Sequence, residues 1–492
     1  MEFSGLDPVS RPNLARVLRL CNGGEVSMTN ADSLNSTTPR PGLTIEVEAV
    51  DLDRDGKGVA RWNSWVIVVP GLLPGERAKV QLQQRQRSRW LSRRVESVSV
   101  SMDRRRPPCI LANDCGGCSL QHLDDPAQTR WKAQQIHQTM QRIGGIDHSP
   151  AEPLVDPTRC LGYRNRALIP LKRDQNGILK AGYFRPRSHK IVNLNHCPVL
   201  DPRLDQLVEP IKCDLDATGW PADHDLINAQ GLRHLGLRLA HGSGDVLITL
   251  ISSHAQLPGL ERLAQTWLKR WPSVKGVCLN LQPTANNLVM GKTTHCIAGQ
   301  PSIEEQFCGI KLSLSSTTFV QVNTPQAERI VQRLTSWLLG HQPGGKVIDA
   351  YCGVGTIALP LAQAGFNVQG LELNPDSVEQ ARLNAMHNGL SSSCAFQAGD
   401  VAELLDSHLG ACQALVLDPP RKGLDGRVVE SILEHPPGVL AYLSCDPATQ
   451  ARDLKALMPP AGPYRLEALQ PIDFFPQTTH LESLALLKRI NS

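Results

Sequence analysis

No stretch of this chain approaches the run of about eighteen uninterrupted apolar residues that a membrane helix needs, so nothing in it reads as a transmembrane span. The N-terminus also lacks a charged start followed by an apolar run and a small-residue cleavage site, which argues against export. Fourteen cysteines without such a signal suit a reducing compartment, here the cytoplasm, with metal or catalytic thiols favoured over a disulfide frame. Neither charge dominates: the net value is only +4. With 41% hydrophobic and 20% charged residues the composition excludes general disorder. At 492 residues the chain exceeds what one core holds, and roughly two to four domains are expected.

The small net charge hides an uneven distribution. Between Arg77 and Arg106 stand ten basic residues against Glu96 and Asp103, a local charge of +8 that leaves the rest of the chain at −4. A concentrated basic stripe on a near-neutral protein is the electrostatic footprint of a polyanion partner, although solvated surface is the commoner use of such a run.

Residues 1–41 show little periodicity and read as a flexible tail, with Met28 as an alternative start. Over 43–98, four β-rich runs are separated by turn residues at Asp55-Gly56-Lys57-Gly58 and Pro70-Gly71, which predicts a small closed barrel of the oligonucleotide-binding type. A cysteine-bearing segment follows, then a helix over 124–143, N-capped by Asp124 or Asp125 and stopped by Gly144-Gly145. Strand-like runs at 167–171, 245–251 and 276–281, with a helix over 257–271, mark a second α/β region. From Cys308 onward a helix capped by Asn323 and ended by Gly340 leads into regular strand–helix alternation, the pattern of a doubly wound parallel sheet. The expected division is therefore tail 1–41, barrel 42–100, central domain 101–307 and Rossmann-like domain 308–492, with the 124–143 helix a candidate to pack on the last.

Within that last domain, the strand Val347-Ile348 runs into Asp349-Ala350-Tyr351-Cys352-Gly353-Val354-Gly355-Thr356 and then a helix. The glycines let backbone approach a ligand at the carboxyl end of the first strand. Glu372 ends the next strand, where a carboxylate can accept from ribose hydroxyls. A third glycine at dinucleotide spacing is missing, so a phosphate-free nucleoside cofactor fits better, and S-adenosylmethionine is the natural candidate. Asp400 and Asp418, the latter stiffened by Pro419-Pro420, follow later strands in positions able to reach it.

Ser444-Cys445-Asp446-Pro447 places a cysteine where a buried strand meets a helix N-terminus, whose dipole favours a thiolate. Cys21, Cys213, Cys278, Cys394 and Cys412 read instead as inert core residues. Glu482, before the final strand, is carried back toward the same sheet edge. A thiol and a carboxylate together suggest covalent catalysis at an unreactive carbon.

These motifs together resemble the RNA uracil-C5 methyltransferase family, in particular the 23S rRNA 5-methyluridine enzymes with an N-terminal TRAM barrel and an iron–sulfur cluster. The likeness rests on 43–98, Cys109-x5-Cys115-Gly116-Gly117-Cys118 with Cys197-Pro198, Phe319-Val320-Gln321-Val322-Asn323, 349–356, Asp418-Pro419-Pro420-Arg421, 444–447 and 473–482. It implies Cys445 as nucleophile on uracil C6, Glu482 as the base removing the C5 proton, and Gln321, Tyr351, Thr356, Glu372, Asp400 and Asp418 around S-adenosylmethionine. It implies RNA, 23S rRNA foremost, as partner, with neither a membrane nor an obligate protein partner. By spacing alone, Cys109, Cys115 and Cys118 suit zinc or an iron–sulfur cluster equally. The resemblance favours a 4Fe–4S cluster with Cys197 as fourth ligand, while Cys160 and Cys213 remain available.

Three rivals stand beside this reading. An amino-methyltransferase shares the fold and an Asp-Pro-Pro loop, but Arg421 stands where such enzymes place a stacking aromatic, and amine chemistry needs no thiol. A non-catalytic RNA-binding or assembly factor would not need Cys445 and Glu482. Transfer RNA is the third alternative, as substrate of the same chemistry.

Overall fold

The computed structural model describes residues 38–490 apart from 157–158, 228 and 287; most of the expected tail, and Cys21, therefore lie outside the described residues. Strands β1 (Thr44–Leu52), β2 (Gly58–Trp62), β3 (Trp65–Val69), β4 (Arg77–Gln86) and β5 (Arg89–Ser97) form a closed barrel in the order β1-β2-β3-β5-β4. Alternation in β1 sends Ile45, Val47 and Ala49 inward to meet Leu82 and Trp90. Closure leaves no unpaired strand edge to aggregate.

The basic stripe divides in two. Arg85, Arg87, Arg89, Arg93 and Arg94 are exposed on the β4–β5 face, and Arg85 lies over the Trp65 ring at 4.6 Å. Arg104 and Arg105 turn inward, contrary to a reading of the whole run as one surface. Arg104 binds the buried Glu76 carboxylate through Nε at 2.5 Å and Nη2 at 2.6 Å, and the N–H groups of Leu73 and Ser101 donate to the same carboxylate. Removing one partner of so enclosed a pair costs about 3–5 kcal/mol, because a buried charge is left uncompensated. Arg105 grips Asp125 through two hydrogen bonds of 2.8 and 2.7 Å. Trp90 is 4% exposed and belongs to the barrel core, whereas Trp62 and Trp65 are half-buried.

Helix α1 (Asp125–Thr139) begins where the Asp124 carboxylate accepts from Ala127 N at 2.7 Å. The helix ends sooner than its sequence suggests: Met140–Gly144 widens into a π turn before Gly145 takes a φ of 68°. One end packs Ala127 and Trp131 on Leu52, Leu73 and Leu120; the other packs Ile136 and Met140 into the C-terminal core. It thus wedges between the barrel and the last sheet.

The central sheet holds β6 (Arg166–Arg173), β7 (Leu179–Ala181), β8 (Leu232–Leu239), β9 (Val246–Ser252), β10 (Val274–Leu281) and β11 (Thr293–Gly299) in the order β11-β10-β9-β8-β6-β7. Every residue of β8 and β9 is buried, and helices α2 (Pro202–Ala217) and α3 (Leu260–Arg270) share their core. A hairpin of β12 (Ser302–Phe307) and β13 (Ile310–Ser315) straddles the expected division at residue 308 and joins the C-terminal core. Cys213 is exposed on α2, not buried as read from sequence: it falls on the solvent side of a helix whose Leu204, Leu207, Val208, Ile211 and Leu215 fill the apolar stripe.

Helix α4 (Thr324–His341), capped by Asn323, runs one residue past Gly340. Strands β14 (Lys346–Ala350), β15 (Asn367–Glu372), β16 (Cys394–Ala398), β17 (Ala414–Leu417) and β18 (Val439–Ser444) are parallel neighbours in the order β16-β15-β14-β17-β18. Helices α5 (Ala358–Gln363), α6 (Pro375–His387), α7 (Val401–Leu409), α8 (Gly426–Glu434) and α9 (Pro447–Leu457) connect them. The sheet ends in two antiparallel strands, β19 (Tyr464–Ile472) and β20 (Glu482–Arg489), with β20 beside β18. The expected parallel sheet is thus extended by two antiparallel strands, of which β19 is hidden in the sequence because a bulge between Leu466 and Ala468 breaks its alternation.

Candidate active site

Parallel strands release their loops on one edge, and ligands bind there. Along this edge the chain sets Asp400 after β16, Glu372 at the end of β15, Tyr351 after β14, Asp418 after β17 and Cys445 after β18. One candidate side chain thus stands at the carboxyl end of each of five neighbouring strands.

The glycine loop is shaped to let a ligand approach. Tyr351, Gly353 and Gly355 take φ values of 69°, 56° and 88°, and the Tyr351 and Cys352 N–H groups both donate to Leu371 O. A left-handed tyrosine is strained by about 1–3 kcal/mol, a cost that a binding loop retains when the surrounding fold fixes it. Burial pushes the Tyr351 hydroxyl up to about 12, with the carboxylate of Asp400 adding to the effect. Glu372 accepts from Gly353 N at 3.1 Å and Asn374 N at 2.9 Å, so its carboxylate is oriented by the loop while lone pairs remain for a further donor. Asp400 caps α7 by accepting from Ala402 N and stays exposed. Thr356 is half-buried just before α5. Gln321 lies between β13 and α4, its carbonyl held by Asn165 at 3.2 Å; among the described residues no hydrogen bond ties its side chain to the rim.

Asp349 was given no role in the sequence, yet it is fully buried beneath this loop. Neither carboxyl oxygen has a hydrogen-bond partner among the described residues. Burial, then the carboxylates of Asp418 and Glu372, holds it well above the usual range, while the nearby Ala358 N–H opposes the shift. The signal was a carboxylate closing an apolar strand, Val347-Ile348-Asp349. An orphaned buried acid under a glycine loop, inside a rim of acceptors, suits a cofactor that presents hydroxyl, amino and positively charged groups and no phosphate.

The thiol and its neighbour are brought together by strand register. Strand β20 pairs with β18 so that Ser444 faces Ser483, which brings Cys445, just past the end of β18, and Glu482, the first residue of β20, to the same end of the strand pair. Glu482 is 5% exposed. Burial first, and then the Asp418 carboxylate, raise it well above its ordinary value, with Lys132 and Arg421 pulling the other way. Asp418 is pushed up to about 7 by desolvation. The Cys445 thiol is also raised, by burial, Glu482 and Asp418, against Arg421. Against the expectation of a dipole-stabilised thiolate, the α9 N-terminus is already capped by Asp446, and burial with the charges of Glu482 and Asp418 favours the neutral thiol. The resting pair therefore holds its proton more tightly than an isolated thiol.

The 473–482 loop that delivers Glu482 is tied down on every side. Lys132 of α1 meets buried Asp473 at 2.7 Å and donates to Phe475 O at 3.0 Å. Gln477 is fully buried with a φ of 72°; it exchanges hydrogen bonds with Gln128, receives one from Arg105 and donates to Asp125, while its carbonyl accepts from Ser119 and Leu120. Sequence reasoning missed both Lys132 and Gln477, because their partners lie more than 300 positions away. Barrel and loop also touch: Thr479 Oγ1 donates to Arg54 O at 2.7 Å, and a Cβ on Gly56 would stand 3.0 Å from Ser119 O.

Cys109, Cys115, Cys118 and Cys197, spread over 88 positions of sequence, lie close enough to influence one another's ionisation. Cys118 and Cys197 are raised to about 11 and about 12, by burial first and by the other thiols of the group in part. Cys160 is occupied elsewhere, against Asp125, and Cys213 is exposed. Among the described residues no three of the four sulfurs lie within 4.8 Å of one another.

Comparison with known proteins agrees with this architecture. A model of the tRNA (uracil-5-)-methyltransferase family matches residues 162–490, and a TRAM domain model matches 40–88. The chain belongs to the tRNA (uracil-5-)-methyltransferase family. Similar members include an uncharacterized RNA methyltransferase of Parasynechococcus marenigrum, 64% identical over 94% of this chain and 99% of that one. Another, from Nostoc, is 41% identical over 92% of this chain and 98% of its own. The crystal structure of Pyrococcus abyssi tRNA (uracil-54, C5)-methyltransferase with S-adenosyl-L-homocysteine superposes with a TM-score of 0.72 at 25% identity, covering 90% of this chain and all of that one. As a uracil-5-methyltransferase family member with a TRAM barrel, the chain is an RNA-modifying enzyme by class. Among the described residues no helix is long and apolar enough to cross a membrane.

Since the Glu482 charge raises the Cys445 thiol, Glu482→Gln should move the alkylation–pH profile of Cys445 to lower pH, read by mass spectrometry of its peptide. A midpoint that stays put or moves up would contradict the adjacency.

Proposed function

We propose that this enzyme transfers a methyl group from S-adenosylmethionine to C5 of a uridine in RNA, with 23S rRNA as the substrate, through a covalent bond between Cys445 and uracil C6. The observation that carries the proposal is the pairing of a thiol and a buried carboxyl across β18 and β20, at the end of a rim of acceptors. Uracil C5 is a poor nucleophile. Addition of the Cys445 thiolate to C6 turns the ring into an enolate whose C5 can bond to the methyl carbon.

S-adenosylmethionine supplies that carbon as an electrophile, its sulfonium bond breaking as the new one forms. Tyr351, Thr356, Glu372, Asp400 and Asp418, with Gln321 from the β13–α4 segment, would hold the cofactor, and Asp349 would underlie it. Glu482 then takes the C5 proton, the ring electrons return, and the thiolate leaves C6. A carboxylate raised by burial is a stronger base for a carbon-bound proton, which suits this duty. Before the thiol adds, its proton would pass to solvent, with the Arg421 charge favouring the thiolate left behind; the proton that Glu482 later takes from C5 would leave to solvent in turn.

Cys109, Cys115, Cys118 and Cys197 would hold a 4Fe–4S cluster, in keeping with four thiols close enough to influence one another's ionisation. Methyl transfer has no redox step, so its duty here is to fix the loop around Ser119, which meets Gln477. The β4–β5 face, with Arg87, Arg89 and Arg93 exposed and Arg85 on Trp65, would carry RNA. The target base must be extruded from structured RNA to reach the pair. Barrel and cysteine cluster together favour ribosomal RNA. Transfer RNA is the second reading, favoured by the substrate of the Pyrococcus abyssi structure.

Labelled S-adenosylmethionine offered with separate ribosomal and transfer RNA pools should place 5-methyluridine in the ribosomal pool; label in transfer RNA alone would select the second reading, and no 5-methyluridine would sink both. In the same assay Cys445→Ala should lower turnover by at least about a hundredfold, as loss of a nucleophile does, while Glu482→Gln should accumulate protein–RNA adduct.

Reversing Arg87, Arg89 and Arg93 to glutamate should weaken RNA binding and flatten its dependence on salt, since each lost phosphate contact removes about 0.7–0.9 from the logarithmic slope. An unchanged slope would place the RNA on another face.

A further inference from the structure

A second group of ligating side chains lies apart from the thiol and carboxyl pair. His189, His224 and Asp225 bring three ligand atoms within 4.8 Å of one another. His224 is 5% exposed, and among the described residues neither of its ring nitrogens has a hydrogen-bond partner. Leaving a buried polar group unmet costs about 1–3 kcal/mol, so an imidazole with two such nitrogens calls for a partner.

The neighbouring carboxylates do not fill that role by hydrogen bonding. Nε2 of His224 stands 3.7 Å from Asp225 Oδ2 and Nδ1 stands 3.9 Å from Asp223 Oδ1, both beyond hydrogen-bond reach. The shorter gap is close to the separation of about 3.4 Å that two tetrahedral ligands keep when each lies about 2.0–2.1 Å from zinc. Lys172 is engaged mainly with Asp223, at 3.0 Å, and reaches Asp225 only at 3.6 Å.

Both imidazoles are also held in place. The Phe184 ring stacks on His189 at 5.5 Å between centroids and leans against His224 at 5.0 Å. His189 lies in a loop closed by a bridge between Phe184 and Ile191, and His224 and Asp225 lie in the turn before β8. A bound ion would fasten that loop to that turn. The other group with ligand-like spacing, Asp406, Glu434 and His435, is wholly exposed, and its histidine already faces Asp406 at 3.3 Å.

We propose that His189, His224 and Asp225 form a separate binding site for a divalent transition-metal ion of the zinc type, with water as the fourth ligand on the exposed His189 side. Two imidazoles and one carboxylate suit zinc and its neighbours in the first transition row and do not suit calcium or magnesium, which prefer oxygen throughout. The ion's duty is to fix the 184–191 loop. Phe184 O accepts from Gly116 N at 2.8 Å, so the fastened loop supports the turn carrying Cys115 and Cys118.

Cobalt(II) titration of the full-length reduced protein tests this, because nitrogen and oxygen ligands give weak visible bands without the intense near-ultraviolet band of a thiolate complex. One equivalent with that signature, displaced by zinc, is expected. His189→Ala and Asp225→Asn should each weaken it by at least about tenfold while keeping the wild-type circular dichroism, whereas exposed His387→Ala should bind as wild type. Cobalt spectra of thiolate type only, or equal binding by Asp225→Asn and wild type, would overturn the site.

Discussion

The antiparallel return of β20 beside β18 is the constraint on which the rest of the active site depends. Five parallel strands deliver loops to one edge of the sheet, but none of them can bring a second acid to the far side of Cys445. A strand running the opposite way can, and with Ser483 facing Ser444 its first residue, Glu482, arrives at the end of β18 where Cys445 stands. Because side chains alternate along a strand, a slip of one residue would turn Glu482 to the other face. The all-buried pattern of β18 and the six buried residues at the start of β20 pin that register.

Register sets the pair, and packing sets its chemistry. Enclosure raises Glu482, Asp418 and Cys445 together, so three groups that ionise readily in water compete here for negative charge. Lys132 and Arg421 temper the competition. Lys132 also holds Asp473 and Phe475, and Gln477 links the same loop to α1 and to the turn beside the cysteines. The barrel, the cysteine segment and the methyltransferase sheet therefore meet at one short loop, the loop that positions the base. Hydrogen bonds from Ser119 and Leu120 to Gln477 tie the cysteine turn to the loop that precedes Glu482.

Much of this was legible in the sequence, and the reasons differ by element. The glycine loop, Glu372, Asp418 and Cys445 announce themselves because each follows a short apolar strand, a local pattern. The barrel shows through its alternation and its turn residues. Strand β19 did not show, since a bulge disrupts the period of two, and the antiparallel end of the sheet was missed with it. Asp349, Lys132 and Gln477 were silent for another reason: their meaning lies in burial and in partners distant along the chain. The thiol was misjudged because a helix N-terminus is visible in sequence, whereas the carboxylates facing it belong to other strands.

The central claim is that Cys445 bonds to the pyrimidine ring and that a neighbouring base then removes the C5 proton. RNA carrying 5-fluorouridine separates these steps, since fluorine in place of the proton leaves Glu482 nothing to abstract. After incubation with S-adenosylmethionine, mass spectrometry of the digested complex should find a methylated fluorouridine nucleotide joined to the Cys445 peptide. Adduct on a different cysteine, or methyl transfer to unmodified RNA with no trapped species from the fluorinated one, would contradict the account.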